Sequence, residues 1–495
     1  MPLASRFAAA ALLLLTAAAA AEDGSDGEGY RIFGQLTTEL ERNLAEDEGN
    51  PNDVDYTKLK QLASFNIEWS RITIGAQLEL LDWSEPEELR DPLDLDRYRE
   101  GLELRKYFID YQGPKLKGRL GTFYSSLGRG LTLYVQKNEV LGFDEPIHGG
   151  TAELTTKHLE LTVVGGEVTE PVLSNQYRRD FEDRVWGGRA VVRLPLDLYL
   201  GGSVVSAELE RTFPEGTDEV DVWSLEAGGL GLWGVLDLAG EWAEIEKREL
   251  TRTRDGWGRY ASAALYLGPV SVLGEYKDYF SFAYRYNLPP NAGRADQSYD
   301  HDDVKGPRLL VSADIVATGS IVHASYASFD SHKEPTSPGG TGGDAQVEWY
   351  GGLEQTVGPV YFQGSYFDRD WQDRGITERH TIGDLHVAVG RRGEIILGWD
   401  ERVEEAAYFS LGTTRATLAY SLSPWGTASL RYSWEDRSGF RREEFWGAEV
   451  QVLPTRRLAV TVFGGSDPGG LVCAGGQCRI EPRFKGVKGN LTWRF

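Results

Sequence analysis

Carboxylates are the most abundant reactive groups in this chain, and many of them stand in clusters. Glu46-Asp47-Glu48, Glu85 to Asp96 with Asp91, Asp94 and Asp96, and Asp296 to Asp303 with Asp300, Asp302 and Asp303 each gather oxygen donors on a short stretch. Calcium takes roughly six to eight such oxygens, so Asp300, Asp302 and Asp303 are candidate ligands for a structural calcium ion. None of the clusters has the spacing of a known calcium loop, and a solvated, self-repelling loop has the same composition. The seven histidines, His148, His158, His301, His323, His332, His380 and His386, are scattered without metal-ligand spacing. No G-x-S-x-G nucleophile motif occurs, so enzymatic activity, catalytic residues and a cofactor are not expected. His380 and His386, with Asp384 between them, share a face by even spacing, which fits a metal or acid–base role and equally fits plain wall positions.

The only cysteines are Cys473 and Cys478, in a late loop. In an oxidising compartment they read as a local disulfide, a staple that closes too small a ring to stabilise much by chain entropy. The alternative is a strained, reducible bond beside Gly475-Gly476, a handle for an exported thioredoxin-like partner. A net charge of −24 argues against nucleic acid, whose phosphates need a basic surface.

The elements that must position these groups are strands. In Val487 to Phe495, Val487, Gly489, Leu491, Trp493 and Phe495 fall on one face and Lys488, Asn490, Thr492 and Arg494 on the other. The same dyad sets Ile72, Ile74, Ala76, Leu78 and Leu80 against Arg71, Thr73, Gln77 and Glu79, and Ala428, Leu430, Tyr432 and Trp434 against Thr427, Ser429, Arg431, Ser433 and Glu435. Runs of about ten residues repeat from Tyr30 onward, alternately joined by tight turns and longer polar loops. Tight turns are expected at Gly113-Pro114, Gly268-Pro269, Gly358-Pro359, Ser423-Pro424 and Leu453-Pro454, among others. Longer connections include Arg211 to Glu219, Lys247 to Gly256 and Ser281 to Lys305. The runs Gly101 to Tyr111 and Ile321 to Phe329 are ambiguous.

The chain opens Met1-Pro2-Leu3-Ala4-Ser5-Arg6, runs uncharged from Phe7 to Ala21, and shows Ala19-Ala20-Ala21 before Glu22, the pattern of a signal peptide over residues 1–21. That run is shorter than the roughly 20 residues of a spanning helix, and no Cys follows it to carry a lipid anchor. An acidic leader, residues 22–29, precedes the first strand. A negative mean hydropathy with 59 Gly and 23 Tyr excludes a helical membrane protein and suits strands whose two faces average out.

The alternating carboxy-terminal stretch with its aromatic last residue resembles the closing strand of bacterial outer-membrane β-barrels. The resemblance implies that Leu491, Trp493 and Phe495 form the signal read by the barrel-assembly machinery, and it extends over residues 30–495. More narrowly, Gly128-Arg129-Gly130-Leu131 together with Cys473-Ala474-Gly475-Gly476-Gln477-Cys478-Arg479 resembles an uncharacterised family of large outer-membrane barrels. The expected fold is all-β, an antiparallel up-and-down transmembrane barrel of about 24 strands. Its short turns are periplasmic and its long loops extracellular. Trp69, Trp83, Trp242, Trp371, Trp399, Tyr408, Trp425, Trp434 and Trp493 would form the ring belts at the two lipid interfaces. Arg71, Glu79, Arg189, Arg193, Arg431, Glu435, Lys488 and Arg494 would line the lumen, either selecting solutes by charge or bracing the wall. Residues 125–157 break the rhythm with dense glycine and are expected to fold inward, because a barrel this wide is otherwise an open hole. Function is then a porin-like channel for polar solutes. The alternative is a non-conducting barrel subunit that binds other envelope proteins, with outer-membrane lipid and lipopolysaccharide around it.

Overall fold

The structure, a computed structural model, describes residues 29–44, 55–84, 101–138, 144–171, 178–212, 215–229, 234–249, 252–290, 303–332, 345–372, 375–474, 477–481 and 483–495. The expected signal peptide, the acidic leader apart from Gly29, Asp300 and Asp302 lie outside the described residues. Twenty-four strands form one antiparallel sheet in which each pairs with the next along the chain. Among the described residues two small hairpins are passed over, Ser125–Leu127 with Leu133–Val135 and Gly470–Ala474 with Gln477–Glu481. The first strand, Tyr30–Asn43, pairs with the last, Phe484–Arg494, from Gln35↔Arg494 to Asn43↔Gly486, so the sheet closes on itself. Closure removes both edges, which would otherwise expose unpaired backbone donors and acceptors. Phe495 extends the seam by one residue: its N–H donates to Gly34 O (3.1 Å) and Gly34 N–H donates to Phe495 O (3.0 Å). A Cβ on Gly34 would stand 2.6 Å from the Phe495 ring, so a side chain there would expel the terminal aromatic.

Period-two patterning sets the two faces. Leu397, Leu418 and Leu430 are direct neighbours on successive strands and all point outward, Leu430 with 60% of its surface exposed. Outward aromatics cluster at two levels. Toward the longer loops stand the ring pairs Trp223 with Trp242 (5.8 Å), Tyr326 with Trp349 (4.4 Å), Trp399 with Trp434 (5.6 Å) and Tyr432 with Trp446 (4.1 Å). Toward the short turns stand Tyr30, Trp69, Trp425 and Trp493. Trp425, in the turn that leads into Gly426–Arg437, and Trp434 on that strand are nine residues apart, about 30 Å in extended chain and about 23 Å after a tilt of about 40°. That matches the apolar height of an outer-membrane barrel, about 25 Å. Two of the expected belt residues lie elsewhere. Trp371 faces the lumen, 5.0 Å from the inward Arg369 guanidinium, and Tyr408 is fully exposed at a hairpin tip.

Several expected boundaries shift for identifiable reasons. Arg211 to Glu219 and Lys247 to Gly256 are largely strand, within Tyr199–Thr212, Glu215–Gly228, Leu236–Glu249 and Arg252–Leu267. Beyond the apolar band both faces are wet, so alternation disappears while pairing continues. Ion pairs take over there, Arg248 reaching Glu219 (2.9 Å) and Asp221 (3.0 Å) across the strands and Glu246 (2.8 Å) on its own strand. The turn expected at Leu453-Pro454 comes at Arg456-Arg457. Pro454, which lacks an N–H, sits in the register irregularity between Val452 and Thr455. Gly101–Gln112 is an ordinary wall strand whose dyad changes phase at one extra residue, Arg105: Lys106 pairs with Gln77 but Leu104 pairs with Leu78.

Candidate functional site within the lumen

Half of the inner wall is covered by the chain's own segments. Leu127, Leu131 and Leu133 are at most 1% exposed and pack against Val164, Val168, Val185, Val205, Val222 and Ile245, which face inward from five successive strands. The inward segment therefore comprises residues 125–135. Its expected continuation to 157 is corrected, because Ile147–Thr155 is a wall strand paired on both sides. Glycines there mark close pairing with the neighbouring strand: a Cβ on Gly149 would stand 2.1 Å from Gly165 O.

The tip of the segment is Gly128-Arg129-Gly130. Gly128 and Gly130 take φ of +63° and +86°, which side chains rarely adopt. The Arg129 N–H donates to Glu241 Oε2 (2.9 Å), and the Arg129 guanidinium lies 5.3 Å from the Tyr260 ring centre. Thr132, Ser203 and Ser224 form a buried hydroxyl chain, 2.9 Å and then 2.8 Å, that ties the segment to two wall strands.

A second inward segment, residues 281–290, escaped the sequence reading. Phe282 packs on Gly258, where a Cβ would come within 2.6 Å of the ring. The buried wall residue Asp183 accepts from Arg285 (2.5 Å) and from the Tyr286 hydroxyl (2.5 Å), and Lys247 donates to Ala283 O (2.6 Å). The two segments also bond each other: Tyr134 N–H to Tyr286 O (2.7 Å), Leu288 N–H to Gly130 O (3.0 Å), and the Tyr284 hydroxyl to Thr132 O. At the rim, Asp144 accepts from Lys106 (2.6 Å) and from the Tyr124 hydroxyl. Burial alone would raise its carboxyl, but those two bonds and the Lys106 and Arg105 charges outweigh burial and hold it below its ordinary value.

The other half of the wall is polar and largely ion-paired. Of the expected lumen charges, Glu79 stands 3.8 Å from both Lys60 and Arg105. On the half that carries the inward segments, Arg189 grips Glu226 (2.5 Å) and Glu160 (3.1 Å), and Arg193 reaches the same Glu160 (3.1 Å). Arg431 faces Asp467 (3.3 Å), Glu435 faces Arg483 (2.6 Å), and Lys488 faces Glu41 (3.9 Å). Arg494 donates to Gln35 (3.4 Å). Arg71 is corrected: it lies in the exposed turn before Ile72–Ser84 and lines no wall. A deeply buried charge cluster on this wall was not anticipated. Arg369, 1% exposed, bridges Glu348 (3.3 Å) and Glu378 (3.5 Å), and Arg402 adds to Glu378 (2.9 Å). Period two within Val360–Trp371 would have pointed Arg369 inward beside Phe367 and Trp371.

His380 and His386 both face inward, against Asp400 (2.7 Å) and Glu394 (3.2 Å). Asp303 accepts from Ser331 (2.6 Å) and lies 2.7 Å from His332 Nδ1. Among the described residues no cluster of three or more His, Cys, Asp or Glu is arranged to hold a metal. Cys473 and Cys478 are direct backbone partners across their two-stranded ribbon.

The chain matches the Family of unknown function (DUF6029) over residues 5–212, less than half its length. No curated protein matches it. Among solved structures, the siderophore receptor PirA from Pseudomonas aeruginosa shares 11% identity at a TM-score of 0.50, covering 94% of this chain and 80% of its own. The P pilus usher (PapC) translocation pore shares 10% identity at 0.48, covering 94% and 99%, and a BenF-like porin from Pseudomonas fluorescens Pf-5 shares 11% at 0.40, covering 71% and 96%. The likeness to PirA is one of fold, the large antiparallel barrel that the sequence resemblance implied.

Proposed function

We propose that this chain is an outer-membrane β-barrel that passes small polar solutes through a lumen narrowed from one side by residues 125–135 and 281–290. The observation that carries the reading is the contrast between the two faces of the wall from Gln346 to Arg494. Outward it presents apolar side chains between aromatic belts. Inward it presents Thr, Ser, Gln and paired charges that substitute for water around a passing solute. Bilayer lipid and lipopolysaccharide then surround the outer belt, Leu491, Trp493 and Phe495 are what the assembly machinery reads, and the longer loops face the cell exterior.

Planar-bilayer recording tests this. Purified protein should give discrete conductance steps, and replacing residues 125–135 with a short Gly/Ser linker should enlarge them severalfold. A second reading, a sealed subunit that binds other envelope proteins, draws on the apolar core inside the lumen, because packed side chains exclude water. Silent bilayers together with co-purifying proteins would decide for it.

A further inference from the structure

The inner wall opposite the inward segments contains a cleft of about 350 Å³, formed where the barrel closes. Its floor carries Phe463 and Phe484, with ring centres 6.1 Å apart. Its two cations are committed. Arg431 faces Asp467, while Lys488 faces Glu41 and lies 3.9 Å from the Phe484 ring centre. Two lining carboxylates, Glu39 and Glu449, have no cation within ion-pair distance among the described residues. Lys60, the register partner of Glu39, turns instead to Glu79, and Lys58, the register partner of Glu41, attracts Glu41 first and Glu39 more weakly.

From this arrangement we propose that the cleft binds linear aliphatic amines carrying two or more ammonium groups. Glu39 and Glu449 stand on the first and fourth strands of the patch, three strand spacings or about 14 Å across the sheet and offset by two residues, about 7 Å, along it. That is too far to share one metal ion, whose oxygens lie within about 2.6 Å of it. A simple monoamine satisfies one carboxylate and leaves the other, whereas an extended triamine reaches toward both. Between them the wall offers Thr461 and Asn490 as hydrogen-bonding partners and an aromatic face for methylenes. Lys488 on Phe484 shows that this floor accommodates an alkylammonium. An anion would have to displace Asp467 or Glu41 from the cations they hold.

The proposal rests on the solvent-open lumen of the channel reading, but its test does not require conduction. Spermidine, butylamine and succinate are titrated calorimetrically into the detergent-folded protein, Glu39→Gln, Glu449→Gln and Lys488→Gln. Spermidine should bind the native protein at least about tenfold more tightly than butylamine. Either glutamine variant should bring spermidine down to the level of butylamine, while Lys488→Gln should leave it unchanged or tighter. Absent spermidine heat, spermidine binding at the native level by either glutamine variant, or tighter binding of succinate overturns the site. A barrel that binds spermidine but never conducts loses the channel and keeps the site. One that conducts without binding spermidine does the reverse.

Discussion

The wall from Ile147 to Phe329 and the wall from Gln346 around to Gln112 share one backbone plan but have opposite interiors. The first turns Val164, Val185, Val205, Val222, Ile245 and Phe329 inward and buries them under residues 125–135 and 281–290. The second turns Glu348, Arg369, Glu378, Arg431 and Lys488 inward and balances them in pairs. A strand therefore encodes what its inner face meets. Where a segment folds in, most of the face is apolar or glycine, and its few charges are held by the segment or by one another, as Asp183 is by Arg285 and Arg189 by Glu226. Where none does, the face must satisfy its own charges or solvate them.

The largest test of this contrast lies among the charges. Arg369→Ala removes the buried cation that bridges Glu348 and Glu378, leaving Glu378 to Arg402 alone, and should cost about 3–5 kcal/mol. Arg431→Ala, in an ion pair a quarter or more exposed on both sides, should cost under about 1 kcal/mol. Urea unfolding of the two variants in detergent measures the gap, and equal midpoints would show that burial does not separate them. On the apolar side, Leu131→Ala opens a cavity under the inward segment and should cost about 2–5 kcal/mol. Proteolysis of that segment would rise while the wall strands stay protected. Uniform loss of protection would mean that the segment and the wall unfold as one unit.

The smallest effect is set by pH. Because the Asp144 carboxyl is held below the ordinary value of 3.8, its contribution is complete above that value and is lost as pH falls beneath it. Asp144→Asn should lower stability near neutrality and flatten its decline in acid. A variant with an acid limb as steep as the native protein's would assign that decline to other carboxylates.

The all-β class, the strand number and the outward face of most runs were legible because an apolar outer face and a polar inner one impose strict period two. Ile321 to Phe329 resisted that reading because Ala327 and Phe329 face inward into the packed core, so both faces are apolar. Gly101 to Tyr111 resisted it because Arg105 shifts the phase. The alternation in Thr427 to Glu435 placed Arg431 and Glu435 correctly on the inner face, but their partners, Asp467 and Arg483, come from 36 and 48 residues later.

By itself the sequence determined which side of each regular strand is greasy, that the strands alternate direction, and that the chain ends in a strand fit to close a barrel, since these follow from local spacing and solvent preference. Only the tertiary structure decided that residues 281–290 join 125–135 inside the lumen, that Arg369 is buried between Glu348 and Glu378, and that Glu39 and Glu449 share one cleft. Those contacts join residues far apart in the chain, and their geometry depends on a register that accumulates strand by strand around the barrel.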